Sequence, residues 1–520
     1  MTTKEEALRE LDRRRALALS QGGQERIERH HASGRLTARE RLDLLLDAGS
    51  LREIGLLAYS DNREVAEKAP ADAVITGIAT IDGRRVAVLA IDSTVSGGST
   101  GRIGVRKQAH IHYLAESKGI PLIVLGDASG GRLPDLLDAT FAELGGTFEG
   151  DDTFGFRHRR ARIPRVTAVL GPSYGDPSFY AANSDLVIMT PGSAAGVAGP
   201  AVVLGATGLT ISSEDLAGYE VAGKASGLAH CMAGSEPEAL AMIRDYLSYL
   251  PSNSSRPAPS RPEWDPPSTD PARLADIVPA DTGRAYDMHK VVEAVVDSGS
   301  FFEIRPDFGR TVVGGLARVE GRSLMIAGNQ PLVNAGAIDS DGLRKLTDLV
   351  DVADDFGLPI VCLHDLPGVM IGRDAERRGL GKAIVDIMRR LSECTVPRIS
   401  VVLRKSYGFG WTLMGGYPSG ADYIVAWPNA SIGFMAPATA VPVLYKRQLE
   451  KEPSPAAARE LARTLAAELS SEFEPWWAAG RGSVHDVIRP EDTRTAILDG
   501  FFIGRSEIAT RERRWSRYEF

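Results

Sequence analysis

Short runs of β-branched and aliphatic residues recur along the chain, each bounded by glycine, proline or charge. Arg85-Val-Ala-Val-Leu-Ala, Pro121-Leu-Ile-Val-Leu and Arg165-Val-Thr-Ala-Val-Leu show no polar alternation, the pattern of strands covered on both faces. The helical stretch Arg106 to Lys118 lies between the first two, and this alternation predicts βαβ units with ligand chemistry on the loops after the strands. Two helices are expected before them. Lys4 to Leu19 sets Leu8, Leu11 and Leu17 among charges, and a second begins at Thr37, which has Glu40 at capping-box spacing. Eight prolines crowd the stretch from Pro251 to Pro279. That density excludes helix and sheet interiors and predicts a linker. The expected division is an N-terminal domain over 1–256, a linker over 257–284 and a C-terminal domain over 285–520.

The halves repeat each other. Lys118-Gly-Ile-Pro-Leu-Ile-Val-Leu-Gly-Asp before Ser129-Gly-Gly parallels Phe356-Gly-Leu-Pro-Ile-Val-Cys-Leu-His-Asp before Leu366-Pro-Gly. Pro121 matches Pro359, Tyr174 matches Tyr407 and Gly196 matches Gly433, all at a nearly constant offset. Chance does not hold register over such a span, so the chain is a tandem duplication of α/β units.

Composition narrows the function. The 520 residues are 43% hydrophobic and 25% charged, enough for two large buried cores. A net charge of −8 leaves no electrostatic footprint for nucleic acid. Cys231, Cys362 and Cys394 lack metal-ligand spacing, so no metal site is expected and a reducing cytoplasm is the natural location. The charged N-terminus lacks the apolar core of a signal peptide, and no window approaches the roughly 20 apolar residues of a membrane span.

Candidate chemistry sits in glycine-rich turns that follow hydrophobic strands. Gly97-Gly-Ser-Thr-Gly, Ser129-Gly-Gly, Gly171-Pro-Ser-Tyr-Gly and Ser406-Tyr-Gly-Phe-Gly share this form. Such turns present backbone N–H groups at helix starts, and two converging N–H groups make an oxyanion hole for an enolate or tetrahedral oxyanion. A plain turn role is the alternative for each. Among side chains His230 is a functional candidate, and the basic run 157–162 and the pair Arg404-Lys405 are candidate anion contacts.

Several blocks are specific: ARERLDLLLDAGS from Ala38, STVSGGSTGRIGVRK from Ser93, SGLAHCMAG from Ser226, NQPLVNAGAIDSDGLRK from Asn329 and TVPRISVVLRKSYG from Thr395. On these the chain resembles the carboxyltransferase (β) subunit of biotin-dependent acyl-CoA carboxylases, of the propionyl-CoA and methylcrotonyl-CoA carboxylase type, nearly end to end. The resemblance implies two crotonase-like domains of ββα repeats, the first on the CoA side and the second on the biotin side. It also implies a dimer or trimer of dimers, with each site between one subunit's N-domain and another's C-domain. Carboxybiotin on a separate biotin carboxylase or carrier chain would supply the carboxyl group to a coenzyme A thioester. The holes would be the amides of Gly175 and Asp176 and those of Phe409 and Gly410. Substrate contacts would come from Gly97, Gly98, Ser99, Lys107, Ser129, Gly130, Gly131 and Tyr174, with Trp411 and Thr412 lining the acyl pocket.

The chain also departs from the family. Where the family reads Gly-Pro-x-Ala-Gly-Gly-Ala this chain has Gly171-Pro-Ser-Tyr-Gly-Asp-Pro, so Asp176 replaces a glycine and Pro177 has no N–H. Phe409 replaces a second glycine, Arg102 an acidic residue, and the Ser129-Gly-Gly-Arg block is one residue short. Three readings follow. The chain transfers carboxyl from carboxybiotin; it is a biotin-independent acyl-CoA decarboxylase, hydrolase or acyltransferase using Asp176 as acid or base; or it is a non-catalytic subunit that completes an assembly. Asp176 is also placed to be a simple N-cap.

Overall fold

The computed structural model describes residues 3–62, 65–137, 139 and 162–505; the basic run lies outside these apart from Arg162, whose guanidinium pairs with buried Asp185. The chain divides into two compact units, one closing at Pro257 and the other opening at Ala258.

The first unit carries one mixed sheet. Its strands are β1 (Arg52–Ile54), β2 (Val74–Ile81), β3 (Arg84–Ile91), β4 (Leu122–Ala128), β5 (Arg165–Tyr174), β6 (Leu186–Met189), β7 (Ala194–Gly196) and β8 (Cys231–Met232). The order is β1-β2-β3-β4-β5-β6-β8, with β7 paired to β5. β1, β2 and β3 are antiparallel, and from β3 onward the pairs are parallel. β4 is buried at every residue, as its unbroken apolar run requires.

The second unit repeats the plan with β9 (Phe302–Glu303), β10 (Val312–Val319), β11 (Arg322–Asn329), β12 (Ile360–Leu366), β13 (Arg398–Tyr407), β14 (Tyr423–Ala426), β15 (Ser431–Gly433) and β16 (Asp486–Val487). Its order is β9-β10-β11-β12-β13-β14-β16, and β15 pairs with β13. Tyr174 and Tyr407 close β5 and β13, and Gly196 and Gly433 close β7 and β15. The offset read from sequence is therefore the offset between equivalent strands.

Local signals hold where side chains supply them. Helix Lys4–Leu19 forms, and Thr37 and Glu40 close a capping box ahead of helix Ala38–Leu45. The helix expected from Arg106 begins earlier, at Arg102. Gly104 weakens the helical pattern there, and it is small because a Cβ would come within 3.0 Å of the Asp72 carbonyl oxygen.

The proline-rich stretch differs from a free linker. Most of it is irregular, as its prolines require, but Leu274–Ile277 forms a helical turn. Leu274 and Val278 are buried in the second unit's core with Val291, Val295 and Trp427. Arg404 fastens the following residues by donating to the carbonyls of Pro279 (2.9 Å), Asp281 (2.7 Å) and Arg284 (3.1 Å).

Just beyond it, His289 is clamped between Glu303 (Nε2 to Oε2, 3.0 Å) and Asp287 (Nδ1 to Oδ1, 2.7 Å). The hydrogen bond to Glu303, aided by Asp287 and opposed by partial burial, raises its pKa from the usual 6.5 to about 9. A raised pKa stabilises the protonated fold fully below about pH 6.5, and that contribution disappears as pH rises through about 9. His289→Gln is thus expected to flatten the alkaline decline in melting temperature between about pH 7 and 10, measured by calorimetry at fixed ionic strength.

Candidate active site

Each unit carries the same turn at the end of its fifth strand. β5 runs into Gly175 and then helix Asp176–Ala182; β13 runs into Gly408 and then helix Phe409–Leu413. Gly175 has φ 75°, ψ −131° and Gly408 has φ 57°, ψ −137°, a conformation open to glycine and strained for other residues. Both glycine amides are already used. Gly175 N–H donates to Gly196 O (3.2 Å) and Gly408 N–H to Gly433 O (2.9 Å). The expected Gly175 donor is therefore corrected, because that N–H ties the turn to β7.

The amides that follow are open. Among the described residues the N–H groups of Asp176, Phe409 and Gly410 have no hydrogen-bond partner, being the first amides of their helices. By register Asp176 corresponds to Phe409 and Pro177 to Gly410. The second unit's turn thus offers two N–H donors and the first unit's only one. Asp176 is not an N-cap: Gly175 holds that position, and Asp176 makes no capping hydrogen bond.

Adjacent loops complete the first unit's turn. Ser129 N–H donates to Gly97 O (3.1 Å), and Thr100 N–H donates to Gly130 O (3.2 Å). A Cβ on Gly130 would lie 3.7 Å from the Tyr174 carbonyl oxygen, so the two turns adjoin. Among the described residues the Gly130 and Gly131 amides are also open. Gly98 has no room for a side chain, since a Cβ would lie 2.3 Å from Asp127 O. Ser99 lends its carbonyl to Arg132 (2.8 Å) and its hydroxyl to Ser96 O (2.7 Å). In the second unit Gly368 approaches Tyr407 O in the same way as Gly130, its Cβ position lying at 3.5 Å.

A buried carboxylate underlies each turn, and sequence reasoning did not single either out. Asp365, at 0% exposure, takes Arg404 Nη2 at 2.8 Å and Nε at 3.1 Å, and its backbone N–H donates to Asn329 Oδ1 at 2.7 Å. Arg404 is thus a buried anchor and not an anion contact. Asp127, the counterpart in the first unit, accepts from Arg41 (3.0 Å), from Ser93 Oγ (2.9 Å) and from Arg35. Arg41 also forks onto Glu236 at 2.6 and 2.9 Å. Gly171 stands where the second unit has Arg404, and a Cβ there would lie 2.0 Å from Arg35 Nη2. The two copies therefore neutralise the same aspartate with arginines from different parts of the chain. The signal was available in the repeat: both β4 and β12 place Asp at the same offset.

Other expected contacts point elsewhere. The Lys107 ammonium is buried on the carbonyls of Ala71 (3.0 Å) and Val74, and burial lowers its pKa to about 8. Lys345, its counterpart in the second unit, does the same with Arg305 O (2.9 Å) and Val312 O (2.7 Å), so both lysines anchor the fold. Trp411 faces inward, its ring 5.9 Å from that of buried His364 at 62° and packed against the core around Val402. Thr412 beside it is half-buried. The Tyr174 ring is buried under the turn with Ala194 and Ala217. His230 is structural, its Nδ1 accepting from Val187 N–H (2.9 Å).

Arranged this way, the chain offers open amides at two register-equivalent turns and, among the described residues, no metal-ligating cluster. No helix among the described residues is long and apolar enough to cross a membrane.

Comparison with known proteins agrees with this layout. A carboxyl transferase domain model matches residues 29–511. The chain is 36% identical over 506 residues to the propionyl-CoA carboxylase carboxyltransferase subunit of Haloferax mediterranei, covering 95% of each. It is 33% identical over 504 residues to the methylmalonyl-CoA decarboxylase subunit alpha of Veillonella parvula, covering 96% of each. Among solved structures it is similar to transcarboxylase 12S, a hexamer with methylmalonyl-coenzyme A and methylmalonic acid bound, at a TM-score of 0.86 and 32% identity over 98% of each chain. The two repeated α/β units are accordingly crotonase-like.

Proposed function

Because this chain belongs to the carboxyl transferase family and is an acyl-CoA carboxyltransferase, we propose that its two turns divide the reaction between them. The first unit's turn, with the Asp176 amide beside Gly130 and Gly131, holds the thioester oxygen as the acyl-CoA becomes an enolate. The second unit's turn, with the Phe409 and Gly410 amides, holds the ureido oxygen of biotin. Carboxybiotin, carried on a separate protein, supplies the carboxyl group and the base. The residues of this chain bind, orient and stabilise charge, and no side chain acts as nucleophile.

One observation carries this reading: open amides at register-equivalent turns of a duplicated fold. Preorganised N–H donors of this kind lower a barrier because they need no reorganisation when charge develops. The relatives suggest a short acyl-CoA such as propionyl-CoA or methylmalonyl-CoA. A homo-oligomer fits the likeness to the hexameric transcarboxylase 12S, and Phe434 at 79% and Val197 at 72% exposure beside the turns are apolar surface such an interface would cover. Three free cysteines suit a cytoplasmic location.

The test uses the purified chain with malonyl-CoA or methylmalonyl-CoA, with and without free biotin, read by mass spectrometry. Loss of the carboxyl group only with biotin present supports transfer. Equal turnover without biotin moves the function to decarboxylation through Asp176.

A further inference from the structure

The loop that follows β3 is held from outside the sheet. Asp92 and Thr94 open it, and both are buried. The Asp92 carboxylate accepts from Thr94 N–H (3.0 Å) and Thr94 Oγ1 (2.6 Å) within the loop. From elsewhere it accepts Gln21 Nε2 (3.0 Å), on the turn between helices Lys4–Leu19 and Gln24–Ala32. The neighbouring Gly22 N–H donates to Thr94 Oγ1 (3.0 Å), and a Cβ on Gly22 would lie 2.0 Å from Thr94 O. Gln21 itself has φ 53°, a left-handed conformation that glycine adopts freely and glutamine only at a cost. Glycines stand at 22 and 23, yet position 21 keeps a side chain, and what that side chain holds is Asp92. Strain kept in this way marks a position with a task.

From Asp92 the brace reaches the open amides in two steps. Val95 N–H donates to Asp92 O (3.1 Å) and Gly98 N–H to Val95 O (2.9 Å), so the loop is wound on Asp92. Gly97 O then takes Ser129 N–H (3.1 Å), directly before Gly130 and Gly131. The second unit ties its equivalent loop differently. There Ile91, Thr94 and Gly98 become Asn329, Leu332 and Gly336. Asn329 Nδ2 donates to Gly336 O (3.1 Å) and Asp365 O (2.5 Å), joining the loop to β12 from within the sheet. Beside Gly336 a Cβ would meet that Nδ2 at 2.7 Å; beside Gly98 it would meet Ile91 Cγ2 at 3.1 Å, a methyl that can donate nothing. Leu332 is 58% exposed, whereas Thr94 is 4% exposed beneath Gly22. The first unit thus lacks the internal tie and has an external one.

We propose that Gln21 is a positioning residue for carboxyl transfer: with Gly22 it clamps Asp92 and Thr94, and through them it sets the loop 95–98 and the amides of 129–131 that receive the thioester oxygen. The proposal rests on the assignment of the first unit's turn to the thioester. The brace lies ahead of residues 29–511, the span of the carboxyl transferase match. Oxyanion donors work by being fixed before charge develops, so a tie that stops their loop from moving contributes to rate without touching substrate.

The test compares full-length wild type with Gln21→Gly, Gly22→Ala and Gln21→Lys. Glycine at 21 relieves the backbone and removes only the donor, alanine at 22 pushes the turn off Thr94, and lysine at 21 keeps a donor for Asp92. Hydrogen–deuterium exchange read by mass spectrometry follows the bonded amides of Val95, Gly98, Thr100 and Ser129. Gln21→Gly and Gly22→Ala should speed their exchange about 5- to 10-fold, the loss of roughly one hydrogen bond, while β4 and the second unit stay as in wild type. With methylmalonyl-CoA and free biotin, both variants should lower kcat about 10- to 10²-fold, the scale of loss when a reacting group is slightly misplaced, at unchanged KM for biotin. Gln21→Lys should restore both exchange and kcat. Exchange at Ser129 unmoved by either variant overturns the proposal. So does exchange rising equally through β4, which would make the contact a general support of the unit, and so does a lysine variant no better than the glycine one. Should wild type show no biotin-dependent transfer, the functional reading fails, while exchange at Ser129 still decides whether Gln21 positions the turn.

Discussion

Phe409→Pro is expected to lower biotin-dependent carboxyl transfer about 10²–10³-fold, the usual cost of one oxyanion donor. Proline suits this position: it is the first residue of its helix, and its N–H has no partner to lose among the described residues. The substitution therefore removes one hydrogen-bond donor and leaves the fold intact. Phe409→Ala keeps the amide, removes a ring that is 53% exposed, and should lose far less. Steady-state kinetics with free biotin separate the two. If proline and alanine fall together, the Phe409 amide is not part of a hole. The design brings into the second unit, one position earlier, the loss of a donor that Pro177 imposes naturally on the first.

Arg404→Met is expected to be the most destabilising single change discussed. It leaves buried Asp365 with only the Lys405 ammonium, 3.9 Å away, and losing the hydrogen-bonded partner of a buried charge ordinarily costs about 3–5 kcal/mol. It also releases three carbonyls between Pro279 and Arg284, so the proline-rich segment should become sensitive to limited proteolysis there. Chemical denaturation should show an earlier transition. Arg404→Met combined with Asp365→Leu should recover much of the loss, because a buried pair exchanged whole for apolar groups is often close to neutral. A single variant as stable as wild type would show that Arg404 is dispensable to the second unit.

Much of the architecture was legible because it is written twice. Apolar strands, glycine turns and their offset each appear in both halves, and local geometry such as the Thr37 capping box follows from two nearby side chains. What sequence could not supply was direction. Lys107 sits in a block specific to the family, yet its stem carries the ammonium inward to Ala71 and Val74. Gly175 stands in a glycine turn the repeat singles out, but its N–H is already given to Gly196, a partner on a strand beyond the intervening helix. Proline density excluded helix and sheet interiors across most of the central segment, but it could not reveal that Arg404 would hold the segment down. The inward turn of Trp411 is hidden in the same way, because position along a helix does not say which face is buried.

Gly171 has a consequence for anyone who would build hybrids from this protein. Transplanting β13 in place of β5 would install an arginine at a site that Arg35 already fills, giving Asp127 a third guanidinium with no space for it. The reverse transplant would strip Asp365 of its cation. Duplication made the halves alike, but subsequent drift in where each found its positive charge has made them non-interchangeable parts. Recombination between the repeats, which their similarity would otherwise invite, should yield chains that fail to fold.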